Sequence, residues 1–343
     1  MPNRVTTIAG TVVAAVVAAT LAACAPDPPA SGAPPTTGQT TGQTAGQARA
    51  SGTTVTPYVD VSLTDPPLAA MADATGVTDA VLAFGLATDG TCTPSWGGTV
   101  ALDDPDITGQ AATLRSRGGH LTVATGGASG DYLENTCGTA AELAGAYTRL
   151  LDATGGTGLD VDVETDVPTG TVVDALHRVQ QQRRITVSLT LQVVDQNRGL
   201  DDQGLDLAKA AAAAGLRFDV DALVMDFPPD GPWAQAMTDA VAATRAQVAT
   251  ISPTPGTAVT IMIGRTDTGP VTTLDDARTV ARDVAAQGIR DLRFWSLGRD
   301  RGSCAGAGEA RPDCSGVAQP DFAFTQTLRD AVAGAPTTGR SGS

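Results

Sequence analysis

A chain of 343 residues with 37 acidic against 22 basic side chains carries a formal net charge of −15, which excludes a polyanion such as nucleic acid as its partner. Hydrophobic residues make up 42% of it and aromatic residues only 3%, so the core is aliphatic and each large ring merits individual attention. With two histidines, a metal cluster or a Ser/His/Asp set lacks parts.

In chain order, Arg4 precedes an apolar run from Ile8 to Leu21 that ends in Leu21-Ala22-Ala23-Cys24. The run is too short and too Ala-rich for a membrane span, and the small residues before Cys24 suit a signal peptidase, so residues 1–23 read as an export signal. Leu-Ala-Ala-Cys resembles a bacterial lipobox, which implies lipid on Cys24 and a place on the outer face of the cell membrane. A plain secretory peptide is the alternative. Residues 24–54 are Pro, Gly, Thr, Ser, Gln and Ala with almost nothing to bury, and read as a flexible tether; residues 336–343 read as a frayed tail.

Residues 55–335 form the body, a length that suits a barrel built on one core. Apolar, β-branched runs fall at Tyr58–Leu63, Ala80–Leu86, His120–Thr125, Gly158–Glu164, Ile185–Leu191, Val220–Met225, Ala258–Ile263 and Asp291–Ser296. Helical patterns alternate with them at Leu68–Ala74, Ile107–Ser116, Ala140–Ala153, Thr171–Gln182, Leu205–Ala214, Trp233–Ala249, Leu274–Ala286 and Phe322–Val332. Eight strands alternating with eight helices predict an α/β fold, the (β/α)8 TIM barrel. An open doubly wound sheet is the rival, but no dinucleotide fingerprint follows the first strand. Besides Cys24 there are four cysteines, an even number in an oxidising compartment, and the expected pairs are Cys92 with Cys137 and Cys304 with Cys314. Zinc competes for them, but no CxxC spacing supports it; no metal and no cofactor is implied, and a monomer is expected.

The fourth strand carries the chemistry. In Gly158-Leu159-Asp160-Val161-Asp162-Val163-Glu164 the period of two puts Asp160, Asp162 and Glu164 on one face and the aliphatic residues on the other. In a closed sheet the acidic face points into a confined interior, where like charges repel and are poorly hydrated, so Glu164 at the strand's C-terminal end is expected to hold its proton at neutral pH. Active sites of this fold lie at that end of the strands, which draws in Gly126 and Gly127 after the third strand, Gln192 after the fifth, Met225, Asp226 and Phe227 after the sixth, and Trp295 on the eighth. The glycines are read as leaving room for a ligand to approach the backbone. Trp295 reads either as core or as a stacking face for a sugar ring. Trp96 and Trp233 are weaker candidates for outer sugar contacts.

The stretch from Thr157 to Glu164 resembles the DxxDxDxE signature of glycoside hydrolase family 18, the chitinases and their endo-N-acetylglucosaminidase relatives. Pro57-Tyr58-Val59-Asp60, Cys92 to Gly98, Gly126 to Gly130, Ser188 to Leu191 and Trp295 to Asp300 resemble an actinobacterial branch of that family. The resemblance implies a (β/α)8 barrel in which Glu164 is general acid and then base. Asp162 would orient the sugar's acetamido group and share a proton with Glu164, with Asp160 supporting Asp162 from below. Trp295 would floor the subsite of the reacting sugar, lined by Met225, Asp226 and Phe227 with Tyr58 and Gln192 nearby. Asp162 and Glu164 leave one strand in one direction, so neither attacks from the opposite side as the second carboxyl of an ordinary retaining glycosidase does; the acetamido oxygen of a β-1,4-linked N-acetylglucosamine chain is then the nucleophile. Three positions depart from the family's pattern: Thr157 for Asp, Ala124 where a serine hydroxyl would help a neighbouring acid, and Phe227 where a tyrosine hydroxyl would hold the acetamido carbonyl. A second reading is a chitinase-like sugar-binding surface lipoprotein with little or no turnover.

Overall fold

The computed structural model describes residues 52–63 and 67–334. The signal peptide, Cys24, most of the tether and the tail lie outside the described residues.

The elements in chain order are β1 (Thr54–Asp60), α1 (Leu68–Thr75), β2 (Ala80–Thr88), β3 (Thr91–Trp96), α2 (Pro105–Ser116), β4 (Leu121–Gly126), α3 (Leu133–Thr136), α4 (Ala140–Thr154), β5 (Gly158–Val163), α5 (Thr169–Gln182), β6 (Thr186–Asp195), β7 (Gly199–Leu200), α6 (Asp202–Ala213), β8 (Asp219–Val224), α7 (Trp233–Val248), β9 (Gly256–Met262), β10 (Gly264–Arg265), β11 (Val271–Thr272), α8 (Leu274–Ala286), β12 (Asp291–Trp295) and α9 (Ala323–Ala333). Parallel pairing runs β1-β12-β9-β8-β6-β5-β4-β2, and β2 pairs back to β1, which closes eight strands into a barrel. This is the (β/α)8 barrel expected from the alternating pattern, and its eight long helices cover the outside as that architecture requires.

Strand alternation divides the core in two. Leu159, Val161 and Val163 of β5, Val187, Leu189 and Leu191 of β6, and Val220, Ala222 and Val224 of β8 belong to the large aliphatic core that includes the helices. A separate small cluster of Tyr58, Val81, Ala83 and Ala124, with Phe84 and Trp295 packed on it, holds the opposite faces. Many of the other inward positions are polar and buried: Asp160, Asp162, Ser188, Thr190, Asp221, Thr260 and Arg293. A barrel interior filled by so much hydrogen-bonding chemistry is a site rather than a packing solution.

Two boundaries differ from expectation. β1 begins at Thr54 and ends at Asp60 rather than running to Leu63: Thr54 pairs with Asp291, and the Thr53 hydroxyl donates to the Ile289 carbonyl at 2.7 Å. The last threonines assigned to the tether are thus barrel residues, because β-branched side chains suit a strand as well as a linker. β3, paired antiparallel to β2, was not expected, since Thr91–Trp96 is short and interrupted by Pro94. Both cysteine pairs form: Cys92–Cys137 ties β3 to the end of α3, and Cys304–Cys314 closes the loop before α9.

The Trp295–Asp300 stretch ends in a cap. The Asp300 carboxylate accepts the Phe324 and Thr325 backbone N–H groups at 2.9 and 2.8 Å, the Thr325 hydroxyl at 2.7 Å and the Gln319 amide at 2.7 Å. These are first-turn donors of α9 that have no partner within the helix. Asp300→Ala is expected to lower the free energy of unfolding by about 2–4 kcal/mol, because it strands buried N–H groups; urea denaturation of the folded body measures it.

Candidate active site

The floor of the site is built around one cation. Arg293, on β12, is buried inside the barrel, and its Nη1 lies 3.2 Å from Asp160 Oδ1, 3.1 Å from Asp221 Oδ2 and 3.1 Å from Ser188 Oγ, while its Nε lies 2.8 Å from Asp291 Oδ2. Burial opposes the guanidinium charge, and Asp291, Asp221 and Asp160 outweigh it and raise its affinity for the proton. Asp160 also accepts from the Tyr58 hydroxyl at 2.8 Å, from Thr190 at 2.8 Å and from Ser188. Neither Arg293 nor Asp221 was singled out in the sequence. Their signal was present: an Arg two residues before Trp295 and an Asp five before Asp226, each alternating with apolar outward residues, Leu292 and Phe294 in one strand and Val220 and Ala222 in the other.

Asp162 and Glu164 stand above this floor toward the mouth. Asp162 is buried, and its Oδ1 has no hydrogen-bond partner among the described residues. Burial first, then Glu164, Asp160 and Asp221, push its carboxyl well above the usual range, and Arg293 offsets this only in part. Glu164 stands just past the end of β5 and is half-buried. Burial raises its carboxyl as well, the Gln192 amide hydrogen bond pulls the other way, and Asp226 and Asp267 add to the rise. Asp160, Asp162 and Glu164 are thus brought together as one line rising from the barrel floor.

The rim is aromatic on one side. Trp295 is half-buried, stacks against Phe84 at 5.5 Å between ring centroids and meets Tyr58 at 6.1 Å and 60°. Phe84 went unnoticed because it sits in the middle of an apolar run. The peptide bonds Ala83–Phe84 and Trp295–Ser296 are cis. Met225 and Asp226 are half-buried at the end of β8, and Asp226 Oδ1 accepts the Thr268 N–H at 3.1 Å.

Several assignments are corrected. Tyr58 is 1% exposed and its hydroxyl is spent on Asp160, so it supports the acid line from beneath instead of contacting a ligand. Phe227 is buried in the outer core with its ring 5.0 Å from Trp233. Asp226 adopts φ +57°, which ends the strand's alternation and turns Phe227 away from the mouth. Gly126 and Gly127 are not openings for a ligand: a Cβ at Gly126 would lie 2.0 Å from the Asp162 carbonyl oxygen, and one at Gly127 would lie 2.7 Å from the Phe84 ring. Their φ values of +87° and +92° and the Gly127 N–H donated to the Asp162 carbonyl at 3.0 Å make them the seam between β4 and β5. Trp96 is fully buried, and Trp233 packs on Phe227 and donates its Nε1–H to Thr272, so neither is an outer sugar contact.

The fold is shared with known proteins. Active domain 2 of the thermostable chitinase from Pyrococcus furiosus, solved as catalytic-site mutants complexed with chito-oligosaccharides, superposes with a TM-score of 0.75 and 31% identity, covering 82% of this chain and 95% of that domain. The chain belongs to glycoside hydrolase family 18, the chitinases. No family model matches the sequence. The probable bifunctional chitinase/lysozyme of Escherichia coli K12 is 27% identical over 304 residues, 79% of this chain and 33% of that protein. Endochitinase 11 of Metarhizium anisopliae is 26% identical over 276 residues, 71% of this chain and 52% of that protein. The chain therefore spans about a third and about half of the lengths of these two curated relatives. Membership accounts for the line of three acids; the Arg293 floor is read from this chain's own geometry.

The floor has a pH signature. Burial lifts the Asp221 carboxyl to about 7, with Asp160 and Asp291 adding to the rise and Arg293 and the Thr260 hydrogen bond opposing it. A carboxyl raised on folding contributes stability that is whole below its unfolded value of about 3.9 and is lost as pH rises toward the folded value. Unfolding free energy is expected to decline across that window, and Asp221→Asn to reduce the decline by an amount on the order of a few kcal/mol. Urea titrations of both proteins at several pH values check it; an unchanged slope contradicts the assignment to Asp221.

Proposed function

We propose that this chain hydrolyses β-1,4-linked N-acetylglucosamine chains with retention of configuration, using the substrate's own acetamido group as the nucleophile. The observation that supports this reading best is the buried Asp162 Oδ1, unpartnered and set between Asp160 and Glu164 on one strand. An acceptor so placed suits the N–H of an acetamido group, which would satisfy it on binding.

In this reading the protonated Glu164 gives its proton to the glycosidic oxygen as the bond to the anomeric carbon breaks. The acetamido carbonyl oxygen attacks that carbon from the opposite face and forms an oxazolinium ion. Asp162 accepts the acetamido N–H and stabilises the positive charge as it develops. The Glu164 carboxylate then takes a proton from water, which opens the ring and restores the acid. Trp295 provides the apolar floor on which the reacting sugar stacks, and Gln192, Met225 and Asp226 stand around it. The sugar-binding lipoprotein without turnover is the weaker alternative, because binding alone does not call for an acid raised by burial at this spot.

Glu164→Gln is expected to lower turnover of a chitooligosaccharide by roughly 10²- to 10⁴-fold while leaving binding in place. In the wild type, activity should fall as pH rises through the elevated Glu164 titration, since the acid must start protonated. Product analysis on acetylated chains and on a fully deacetylated control tests both acid and nucleophile: equal cleavage of the control would refute substrate assistance.

The exported location and the placement within the actinobacterial branch belong to the same proposal. Lipid on Cys24 would hold the barrel at the outer face of the membrane, where insoluble glycan is met. Cys24→Ala should release the protein from the membrane fraction into the medium, and continued membrane association would contradict lipidation.

A further inference from the structure

We infer that Tyr132 is a positioning residue for the catalytic acid, a clamp that fixes where the backbone of Glu164 leaves the barrel; this rests on the assignment of Glu164 as the acid. The Tyr132 hydroxyl is buried beside the end of β5 and makes contacts on both of its sides. It accepts the Glu164 backbone N–H at 3.0 Å, donates to the Gly127 carbonyl at 2.6 Å and lies 3.1 Å from the Asp162 carbonyl. One phenol therefore joins the peptides that carry Asp162 and Glu164 to the glycine seam after β4. Without it, the Glu164 N–H, just beyond the last strand residue, has no ladder partner to hold it.

The clamp is itself held from behind. Tyr132 precedes α3, and its carbonyl accepts the Thr136 N–H at 3.1 Å and the Thr136 hydroxyl at 2.7 Å. Cys137, at the end of that helix, is bonded to Cys92 of β3. Glu134, within the helix and fully buried, accepts from the Thr125 hydroxyl at 2.6 Å and from Tyr147 of α4 at 2.8 Å. Thr125 is the residue before Gly126, so α3 is fastened to the strand whose glycine seam the phenol grips. The helix is four residues long, too short to hold its place by its own hydrogen bonds; the disulfide and the Glu134 contacts supply what it lacks. Tyr132 touches no reacting atom in this arrangement; it acts through the backbone of the residue that does.

A positioning role predicts a particular pattern of loss. Protonation of the leaving oxygen matters greatly when the leaving group is a sugar and little when it is a stable phenolate. Tyr132→Phe, which keeps the ring and removes the clamp, is expected to lower kcat for a chitooligosaccharide roughly 10²-fold with KM nearly unchanged, as a small displacement of a reacting group does. Hydrolysis of a dinitrophenyl chitobioside by the same variant should fall only a few-fold. Both substrates are read on one preparation, so a smaller folded fraction lowers both rates alike and leaves their ratio intact. Glu164→Gln, run in parallel, should show the same selectivity at larger size. Equal losses on the two substrates in Tyr132→Phe, with selective loss in Glu164→Gln, would overturn the clamp alone. Retained chitooligosaccharide cleavage in Glu164→Gln would overturn the acid assignment and the clamp with it.

Discussion

A single guanidinium, Arg293, is enclosed in the barrel with Asp160 and Asp221 on one side and Asp291 on the other. Bringing these groups out of water is costly, and the arrangement persists because the cation touches three carboxylates at once. One positive charge cannot balance all of the acids that line the interior. The imbalance shows at Asp221, raised although it touches the cation, and at Asp162 above it. Asp160 lies against the cation and receives several donors, while Asp162, one step up the strand, has an oxygen with no donor and feels three other acids.

The same polarity follows from the direction of β5. Successive inward residues climb from the floor toward solvent, so burial, proximity to Arg293 and access to a ligand change together along three alternate positions. An acid needs to be dry enough to keep its proton and open enough to deliver it. Glu164, raised by burial and half-buried past the last ladder pair, suits both demands, whereas Asp162 is raised but buried away from solvent. The strand end is a poor place to hold a side chain still, however, because regular pairing stops at Val163. Tyr132 and the glycine seam meet that deficit from the neighbouring loop.

Much of this was legible in the sequence. The eight barrel strands and their covering helices were readable because the strands carry apolar outward rows, and such rows are what periodicity detects. The acid line was legible for the complementary reason, since alternating Asp and Val can be satisfied only by a strand with two unlike faces. What escaped depends on contacts between segments far apart in the chain. Arg293 looked like an ordinary charge near a strand, and only closure of β12 onto β1 brings it to Asp160, 133 residues away. Tyr132 sat in a Gly- and Asp-rich loop with no periodicity to mark it. Tyr58 and Phe227 were placed by strand-end position and family resemblance, which do not show where a side chain turns: the Tyr58 hydroxyl goes to Asp160, and Asp226 with φ +57° breaks the alternation before Phe227.

The two departures that seemed to weaken the site take on a different weight in three dimensions. A carboxylate offers about four lone-pair positions. On Asp160, Ser188, Thr190 and Arg293 converge on Oδ1 and Tyr58 reaches Oδ2. Ala124 adds no donor to this set and packs with Tyr58, Val81 and Ala83 in the apolar patch beneath the aromatic rim. Phe227 does not face the mouth, so a hydroxyl there would be buried against Trp233 and would serve no ligand. A guanidinium that binds Asp160, Asp221 and Asp291 together is a firmer support for the acid line than a single hydroxyl at position 124 would be.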